Sequence, residues 1–251
     1  MRRKFVAGNW KMYKTPSEAE TLAGDLKSAI GALNGAEMVV CPPYTALDRV
    51  NRVIQGSNIR LGAQDLHWED QGAYTGKISH DMLKDVGVSH VIIGHSEQRT
   101  YFHETNETVN KKTVKALSSG LTPIVCVGET LDEREAGRMH DVVQSHVRGG
   151  YAGISKADAL KTIIAYEPVW AIGTGKTATP EQAQEVHAFI RGLLKEMYDA
   201  EVAESLRILY GGSVKPDNAG ELFSQPDIDG GLIGGAALKA PDFKAIVEAA
   251  S

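Results

Sequence analysis

Short apolar runs recur along the chain, and each is followed by a longer segment whose apolar residues return every three or four positions. Eight such runs are present, at residues 5–8, 38–41, 59–63, 90–94, 123–127, 162–165, 207–210 and 231–234. Runs that are apolar without alternation are typical of parallel strands buried on both faces. Their separation of roughly 20 to 45 residues is expected of successive β-α units.

The segments between the runs carry helix start signals. Thr179 offers an N-cap hydroxyl, Pro180 fits the first helical position, and Gln182 completes a capping box. Similar signals predict a helix near Ser17 and another near Pro216. After Thr179, one buried stripe is predicted at helical spacing, formed by Ala183, Val186, Ile190, Leu193, Leu194 and Met197.

Eight β-α units in this length fit a closed (β/α)8 barrel. No Pro/Ser-rich linker or low-complexity tract divides the chain, so residues 1–251 are predicted to form a single catalytic domain. The alternative is a doubly wound open sheet, which usually has a Gly-x-Gly-x-x-Gly turn after the first strand. Here that position reads Gly8-Asn9-Trp10-Lys11, which favours the barrel.

The composition argues against nucleic-acid binding and against insertion into a membrane. Apolar residues make up 42% of the chain, and 27 Lys and Arg against 32 Asp and Glu give a net charge of −5. This balance argues against a nucleic-acid partner, and no apolar run reaches membrane-spanning length. The N-terminus lacks a signal-peptide core, and Cys41 and Cys126 lie in apolar runs typical of buried thiols. We therefore expect a cytoplasmic protein.

Polar residues stand where the strands end, and in a barrel that rim carries the chemistry. Glu167 ends the sixth strand beside an apolar segment, so we expect it to be a general base whose pKa is raised by burial. His95 precedes a helix start that disfavours the imidazolium, so its neutral ring can donate to a developing oxyanion. Asn9 can donate to the same centre, and Lys11 supplies a positive charge.

Glycine-rich turns end the last two strands, where barrels often hold phosphate through backbone N–H groups. They are Gly211-Gly212-Ser213 and Gly234-Gly235. The segment after Glu167 reads Pro-Val-Trp-Ala-Ile-Gly-Thr-Gly and suits a lid that closes over bound substrate. Its tail, Gly173-Thr174-Gly175-Lys176-Thr177, is not a nucleotide loop, because Trp170 stands where the first glycine of that motif is required.

Five motifs in order resemble the triosephosphate isomerase family over the whole chain. They are residues 7–12 (Ala-Gly-Asn-Trp-Lys-Met), 94–97 (Gly-His-Ser-Glu), 166–175 (Tyr-Glu-Pro-Val-Trp-Ala-Ile-Gly-Thr-Gly), 210–213 (Tyr-Gly-Gly-Ser) and 234–236 (Gly-Gly-Ala). This resemblance implies the TIM barrel fold and the interconversion of dihydroxyacetone phosphate and D-glyceraldehyde 3-phosphate. The reaction belongs to glycolysis and gluconeogenesis and needs no metal or organic cofactor. The resemblance further implies a neutral catalytic histidine and a loop that closes over the substrate.

The resemblance also implies roles for particular residues. Glu97 would orient Lys11 through a salt bridge, while Gly173, Ser213, Gly234 and Gly235 would bind the phosphate. Glu129 and Tyr210 would be partners of the open and closed lid. The binding partners of the chain would be triose phosphates and a second copy of the same chain in a homodimer. Thr75 would lie near the tip of the dimer loop, residues 64–79. The lid, residues 168–178, would include Pro168, Val169, Trp170, Ile172, Thr174, Gly175 and Lys176.

Two other functions remain open from the residues alone. A barrel lyase or aldolase would use Lys11 as a Schiff-base lysine or would use a metal ion. A non-catalytic phosphosugar-binding or adhesive protein would bind the anion without turnover. Gly231 and Ala237 depart from the family pattern, which leaves the phosphate affinity open.

Overall fold

The computed structural model describes residues 2–172 and 177–251. Eight parallel strands pair in sequence order, and β1 pairs with β8 to close the barrel. The strands are β1 (Phe5–Asn9), β2 (Glu37–Cys41), β3 (Ile59–Ala63), β4 (His90–Ile93), β5 (Thr122–Val127), β6 (Ile163–Tyr166), β7 (Arg207–Tyr210) and β8 (Gly230–Ile233). The predicted (β/α)8 TIM barrel is confirmed, and each predicted strand lies within one residue of its observed bounds.

Helices fill the connections and form the outer layer. They are α1 (Pro16–Ile30), α2 (Leu47–Ile54), α3 (His80–Asp85), α4 (Ser96–Phe102), α5 (Asn106–Ser118), α6 (Leu131–Glu135), α7 (Met139–Gly150), α8 (Lys156–Ala159), α9 (Pro180–Met197), α10 (Ala200–Ser205), α11 (Ala219–Phe223) and α12 (Ala240–Ala249). Thr15 and Thr179 cap α1 and α9 with complete capping boxes, as the sequence predicts. The helix expected near Pro216 begins later, at Ala219.

The core has two parts because both faces of each strand are buried. Inside the barrel lie side chains from alternate strand positions, including Phe5, Val39, Ile124 and Leu209. The opposite positions pack against the helices, as Val6, Val40 and Ile164 do. The apolar runs of the sequence therefore mark strands covered on both sides. Within residues 2–172 and 177–251, no helix has both the length and the apolar character needed to cross a membrane.

Candidate active site

Strand alternation selects the residues that face the barrel axis at its carboxyl end. In β1, Phe5 and Ala7 point inward, so Asn9 follows with the same parity. In β6, Ile163 and Ala165 point inward, and Glu167 comes next in that series. Asn9 and Glu167 are buried at 5% and 2% exposure. A two-residue period thus carries both polar groups to one rim.

His95 reaches the same rim by a different route. Ile92 is the inward residue of β4, so continued alternation would send residue 95 outward. Gly94 has a φ of +73°, a conformation that favours glycine, and this left-handed residue interrupts the strand alternation before His95. His95 then caps α4, and its Nδ1 accepts a hydrogen bond from the Glu97 N–H at 3.2 Å. A singly protonated imidazole therefore carries its proton on Nε2.

Glu167 and His95 contact each other directly. His95 Nε2 lies 2.8 Å from Glu167 Oε1. The other carboxylate oxygen, Oε2, accepts a hydrogen bond from the Ser96 N–H at 2.9 Å, at the start of α4. Both oxygens of this buried carboxylate are thus paired with groups contributed by the β4–α4 connection.

The pairing reverses the pKa directions expected from the sequence. Burial raises the pKa of Glu167, but His95, the Ser96 N–H and Lys11 together outweigh it, and the pKa lies below its ordinary value. Burial lowers the pKa of His95, but the Glu167 carboxylate outweighs it, and the pKa lies above its ordinary value. The expected raised pKa of Glu167 and disfavoured imidazolium of His95 are therefore wrong for this arrangement. A pKa depends on the neighbouring charges as well as on burial, and the sequence does not show that these two groups are neighbours.

Lys11 is held at the rim by a carboxylate and by an unusual backbone conformation. Its Nζ lies 2.7 Å from Glu97 Oε1, as the family resemblance implies. Its φ of +51° is left-handed, and its N–H donates to Asn9 Oδ1 at 3.0 Å. Gln64 also donates to the Lys11 carbonyl oxygen at 2.8 Å. Glu97 therefore positions the cationic end of Lys11, while Asn9 and Gln64 hold its backbone.

The glycine-rich turns line the same cavity as these side chains. The cavity has a volume of about 740 Å3, and its wall includes Asn9, Lys11, His95, Glu167, Ile172, Gly211, Gly212, Ser213, Gly234 and Gly235. A Cβ on Gly211 would stand 2.9 Å from Glu167 Cγ, so only glycine leaves room for the carboxylate. Gly235 and Ala236 begin a short 3-10 helix, residues Gly235–Leu238, and both line the cavity.

The segment after Glu167 is held by Glu129, a fully buried carboxylate. Trp170 Nε1 donates to Glu129 Oε1 at 2.9 Å, and the Val169 N–H donates to the Glu129 carbonyl oxygen at 3.0 Å. Tyr166 and Arg134 also contact Glu129 Oε1, each at 3.1 Å. Pro168 directly precedes a 3-10 turn, Val169–Ala171. The predicted lid residues Gly173, Thr174, Gly175 and Lys176 lie outside the described residues.

Comparison with known proteins identifies the family. The family model described as triosephosphate isomerase matches residues 4–250. The chain belongs to the triosephosphate isomerase family. A protein named triosephosphate isomerase from Moorella thermoacetica is 58% identical over 247 residues, covering 98% of each chain. Those of Chlorobium luteolum and Geotalea uraniireducens are 58% identical over 250 residues and 56% over 247, covering 99% and 98% of each chain.

Membership in the triosephosphate isomerase family confirms the function predicted from the sequence. The chain is an isomerase that interconverts dihydroxyacetone phosphate and D-glyceraldehyde 3-phosphate. Within the described residues, no group of three or more His, Cys, Asp or Glu side chains is arranged to hold a metal ion.

Sequence reasoning missed four residues of this site. Ser96 contributes only its backbone N–H, so its side-chain type gives no signal. Gln64 donates to the carbonyl oxygens of both Lys11 and Cys41, and its position just after β3 could have revealed it. Lys239 and Asp242 also line the cavity, but they lie beyond the end of β8: Lys239 is the N-cap of α12 and Asp242 lies in its first turn.

Proposed function

We propose that Glu167 moves a proton between C1 and C2 of the bound triose phosphate. The observation that carries this proposal is the Glu167–His95 contact of 2.8 Å on the wall of the 740 Å3 cavity. The carboxylate takes the proton from one carbon, the carbonyl oxygen on the other gains negative charge, and an enediolate forms. The same carboxylate then returns the proton to the second carbon.

The base must leave its present partners to reach a carbon atom. Once Glu167 turns from His95 and the Ser96 N–H toward substrate, it loses the contacts that lower its pKa, while its burial persists. The pKa of the free carboxylate then rises, and its affinity for a proton increases. His95 loses the contact that raises its pKa, so the neutral imidazole is favoured and its Nε2–H is available to the enediolate oxygen.

The remaining polar groups stabilise negative charge. Asn9 and Lys11 line the cavity with His95, and we assign them hydrogen bonding and charge stabilisation of the enediolate. Glu97 holds Lys11 in place without contacting substrate. We assign phosphate binding to Ser213, Gly234 and Gly235, together with Gly173, which lies outside the described residues. A Cβ on Gly235 would meet open space, so its side of the turn leaves room for the phosphate.

The lid closes over this phosphate. Residues 168–178 connect the base to α9, so closure and the movement of Glu167 are coupled through Pro168. A closed lid excludes water and restrains the enediolate from losing phosphate. We assign Glu129 to the open lid, with Tyr210 as a partner for closure; burial raises the pKa of Tyr210 to about 12, so it remains a hydroxyl donor.

We infer that two copies form a homodimer. Large apolar side chains are exposed just after β1 and at the end of α4: Met12 is 94% exposed, Tyr13 58%, and Tyr101 and Phe102 both 70%. Adjacent exposed apolar side chains are typical of protein interfaces. Thr75 is also exposed, on the loop between β3 and α3, which we propose reaches the partner's site. We further propose a single catalytic domain, a cytoplasmic location and no membrane or nucleic-acid partner; the net charge of −5 argues against nucleic acid.

Isomerisation in deuterated water tests the base. If one carboxylate moves the proton, product formed by the wild-type chain carries deuterium at the reacting carbon, as detected by proton NMR. Glu167→Gln is expected to lose isomerisation and deuterium incorporation together. Isomerisation at the wild-type rate in that variant would refute the assignment.

Sedimentation of the purified chain tests the dimer: a monomer at micromolar concentration would refute it.

A further inference from the structure

The turn between β5 and α6 holds the proposed base and the first lid residues from one side. The Glu167 N–H donates to the Val127 carbonyl oxygen at 2.8 Å, and the Val169 N–H donates to that of Glu129 at 3.0 Å. Gly128 lies between these two acceptors. A Cβ on Gly128 would stand 1.8 Å from the Glu167 carbonyl oxygen, so the two backbones are in direct contact. A shift of Gly128 is therefore transmitted to Glu167 and Val169 together.

Gly128 is itself held by a side chain from α7. Its N–H donates to Nδ1 of His146 at 3.3 Å. Val143 and Val147 of the same helix are buried in the layer between barrel and helices, which fixes α7 against the barrel. His146 therefore connects a rigidly packed helix to the turn beside the base.

The space around this hydrogen bond is open. A cavity of about 230 Å3 lies behind the base, lined among others by Ser96, Arg99, Thr130, Glu133, His146 and Glu167. This volume is enough for several water molecules, so side-chain packing does not fill the region beside the turn. Burial and the Arg99 guanidinium lower the pKa of His146 to about 4, although Glu133 and Glu167 oppose the shift. At neutral pH the imidazole is uncharged, and Nδ1 keeps the lone pair that accepts from Gly128.

We propose that His146 is a positioning residue for the isomerase reaction: by accepting the Gly128 N–H, it fixes the turn that holds Glu167 and the lid residue Val169. This inference rests on the proposed role of Glu167 as the base. His146 touches neither substrate nor reacting atoms, and it acts only through the backbone of residues 127–129.

Two substitutions separate the acceptor from the bulk of the side chain. His146→Gln keeps an acceptor that can reach Gly128, whereas His146→Leu removes it and fills a similar space. We expect the leucine variant to lose about fivefold to tenfold in kcat, the effect of one lost hydrogen bond, with KM within about twofold of wild type. We expect the glutamine variant to retain at least about half of the wild-type kcat. His140→Leu, on an exposed position of the same helix, is the matched control and is expected to be unchanged.

Wild-type kcat in the leucine variant, or equal losses in the leucine and glutamine variants, would overturn the proposal. Should the leucine variant fail to fold, His146→Ala tests the same loss of acceptor. Amide hydrogen exchange provides a readout independent of chemistry: the Glu167 and Val169 N–H groups are expected to exchange faster in the leucine variant only. Unchanged hydrogen exchange in His146→Leu would refute the positioning role of His146. If Glu167→Gln stays active while exchange is faster in His146→Leu, only the role of Glu167 as the base is refuted.

Discussion

One strand carries two histidines whose environments differ sharply. His90 begins β4 at the amino end of the barrel, and His95 follows β4 at the carboxyl end. Each lies near a buried or half-buried carboxylate: His90 Nε2 is 3.7 Å from Glu37 Oε1, and His95 Nε2 is 2.8 Å from Glu167 Oε1. Yet burial lowers the pKa of His90 to about 4, whereas Glu167 raises the pKa of His95.

The cations around the two carboxylates explain the difference. Glu37 is paired with Arg207 at 2.6 Å and Arg60 at 3.5 Å, and these guanidiniums oppose protonation of His90. Near Glu167, Lys11 also lowers the pKa of the carboxylate, and Lys11 is itself paired with Glu97. At the amino end, Glu37 is thus paired with two arginines. At the carboxyl end, the main partner of Glu167 is His95, and we propose that this contact is exchanged for substrate. The first arrangement stabilises the barrel, and the second suits the proton transfer that we propose for Glu167.

The largest expected effect separates the two carboxylates. Glu167→Gln should lower kcat about a thousandfold, about 4 kcal/mol of transition-state stabilisation, because an amide cannot accept the proton. Glu37→Gln should leave kcat within about twofold and lower only the unfolding free energy. A coupled dehydrogenase assay and urea denaturation on both variants provide the measurements. Equal losses of kcat would abolish the distinction between the two ends.

The pH dependence of stability is expected to distinguish the histidines by sign. His90 has a folded pKa of about 4 against about 6.5 unfolded, so the unfolded chain binds its proton first. Its stabilising contribution is complete above about pH 6.5 and falls by about 3 kcal/mol as the pH drops toward 4. His90→Gln should flatten this dependence in urea titrations. An unchanged slope would contradict the low pKa of His90.

His95 should contribute in the opposite sense. Because its folded pKa is raised, its contribution is complete below the unfolded pKa of about 6.5 and is lost as the pH rises through the folded value. NMR titration of the two rings compares them directly. His95 should titrate above His90, and the reverse order would refute both directions.

The same pair should also differ in catalysis. We expect His95→Gln to lower kcat about a hundredfold, about 2.7 kcal/mol, because the Nε2–H proposed to face the enediolate oxygen is lost. His90→Gln is the matched control at the other end of β4 and should retain wild-type kcat. Loss of activity in the control would mean that the strand transmits damage between its ends.

The smallest expected effect concerns the lid. Trp170→Phe removes the indole donor to Glu129 and should lower kcat about threefold to fivefold, as expected for one hydrogen bond. More inorganic phosphate should be released per turnover, because a less restrained lid protects the enediolate poorly. Tyr198→Phe removes a hydrogen bond to the Ile154 carbonyl oxygen, away from the lid, and is the control. Equal phosphate release in both variants would contradict the role of Trp170.

The sequence predicts the barrel well because most strand residues are buried on both faces and read as short apolar runs; the exposed Arg60 in β3 is an exception. The same two-residue period carries Asn9 and Glu167 to the rim, so their positions follow from the sequence. His95 does not follow this period, and its inward position depends on the positive φ of Gly94, which a motif identifies but alternation does not.

Side-chain contacts between distant segments are harder to predict from the sequence. The pKa directions of Glu167 and His95 depend on a contact between residues separated by more than 70 positions, and single-residue reasoning gave both wrong. His146 gave no sequence signal, because it lies within a helix and acts through the backbone of Gly128. The spacing of apolar residues along one segment predicts which side chains are buried. The protonation states in a site depend on distances between segments, which only the folded structure shows.

The left-handed backbone of Lys11 has a consequence for how this chain can be engineered. A lysine at a φ of +51° costs about 1 kcal/mol relative to a relaxed conformation, and asparagine or glycine tolerates that geometry better. Directed evolution for heat resistance alone would therefore favour replacing Lys11, while screening for turnover would retain it. When variants of this chain are selected for thermostability, those that replace Lys11 should therefore be screened for activity before other positions are randomised.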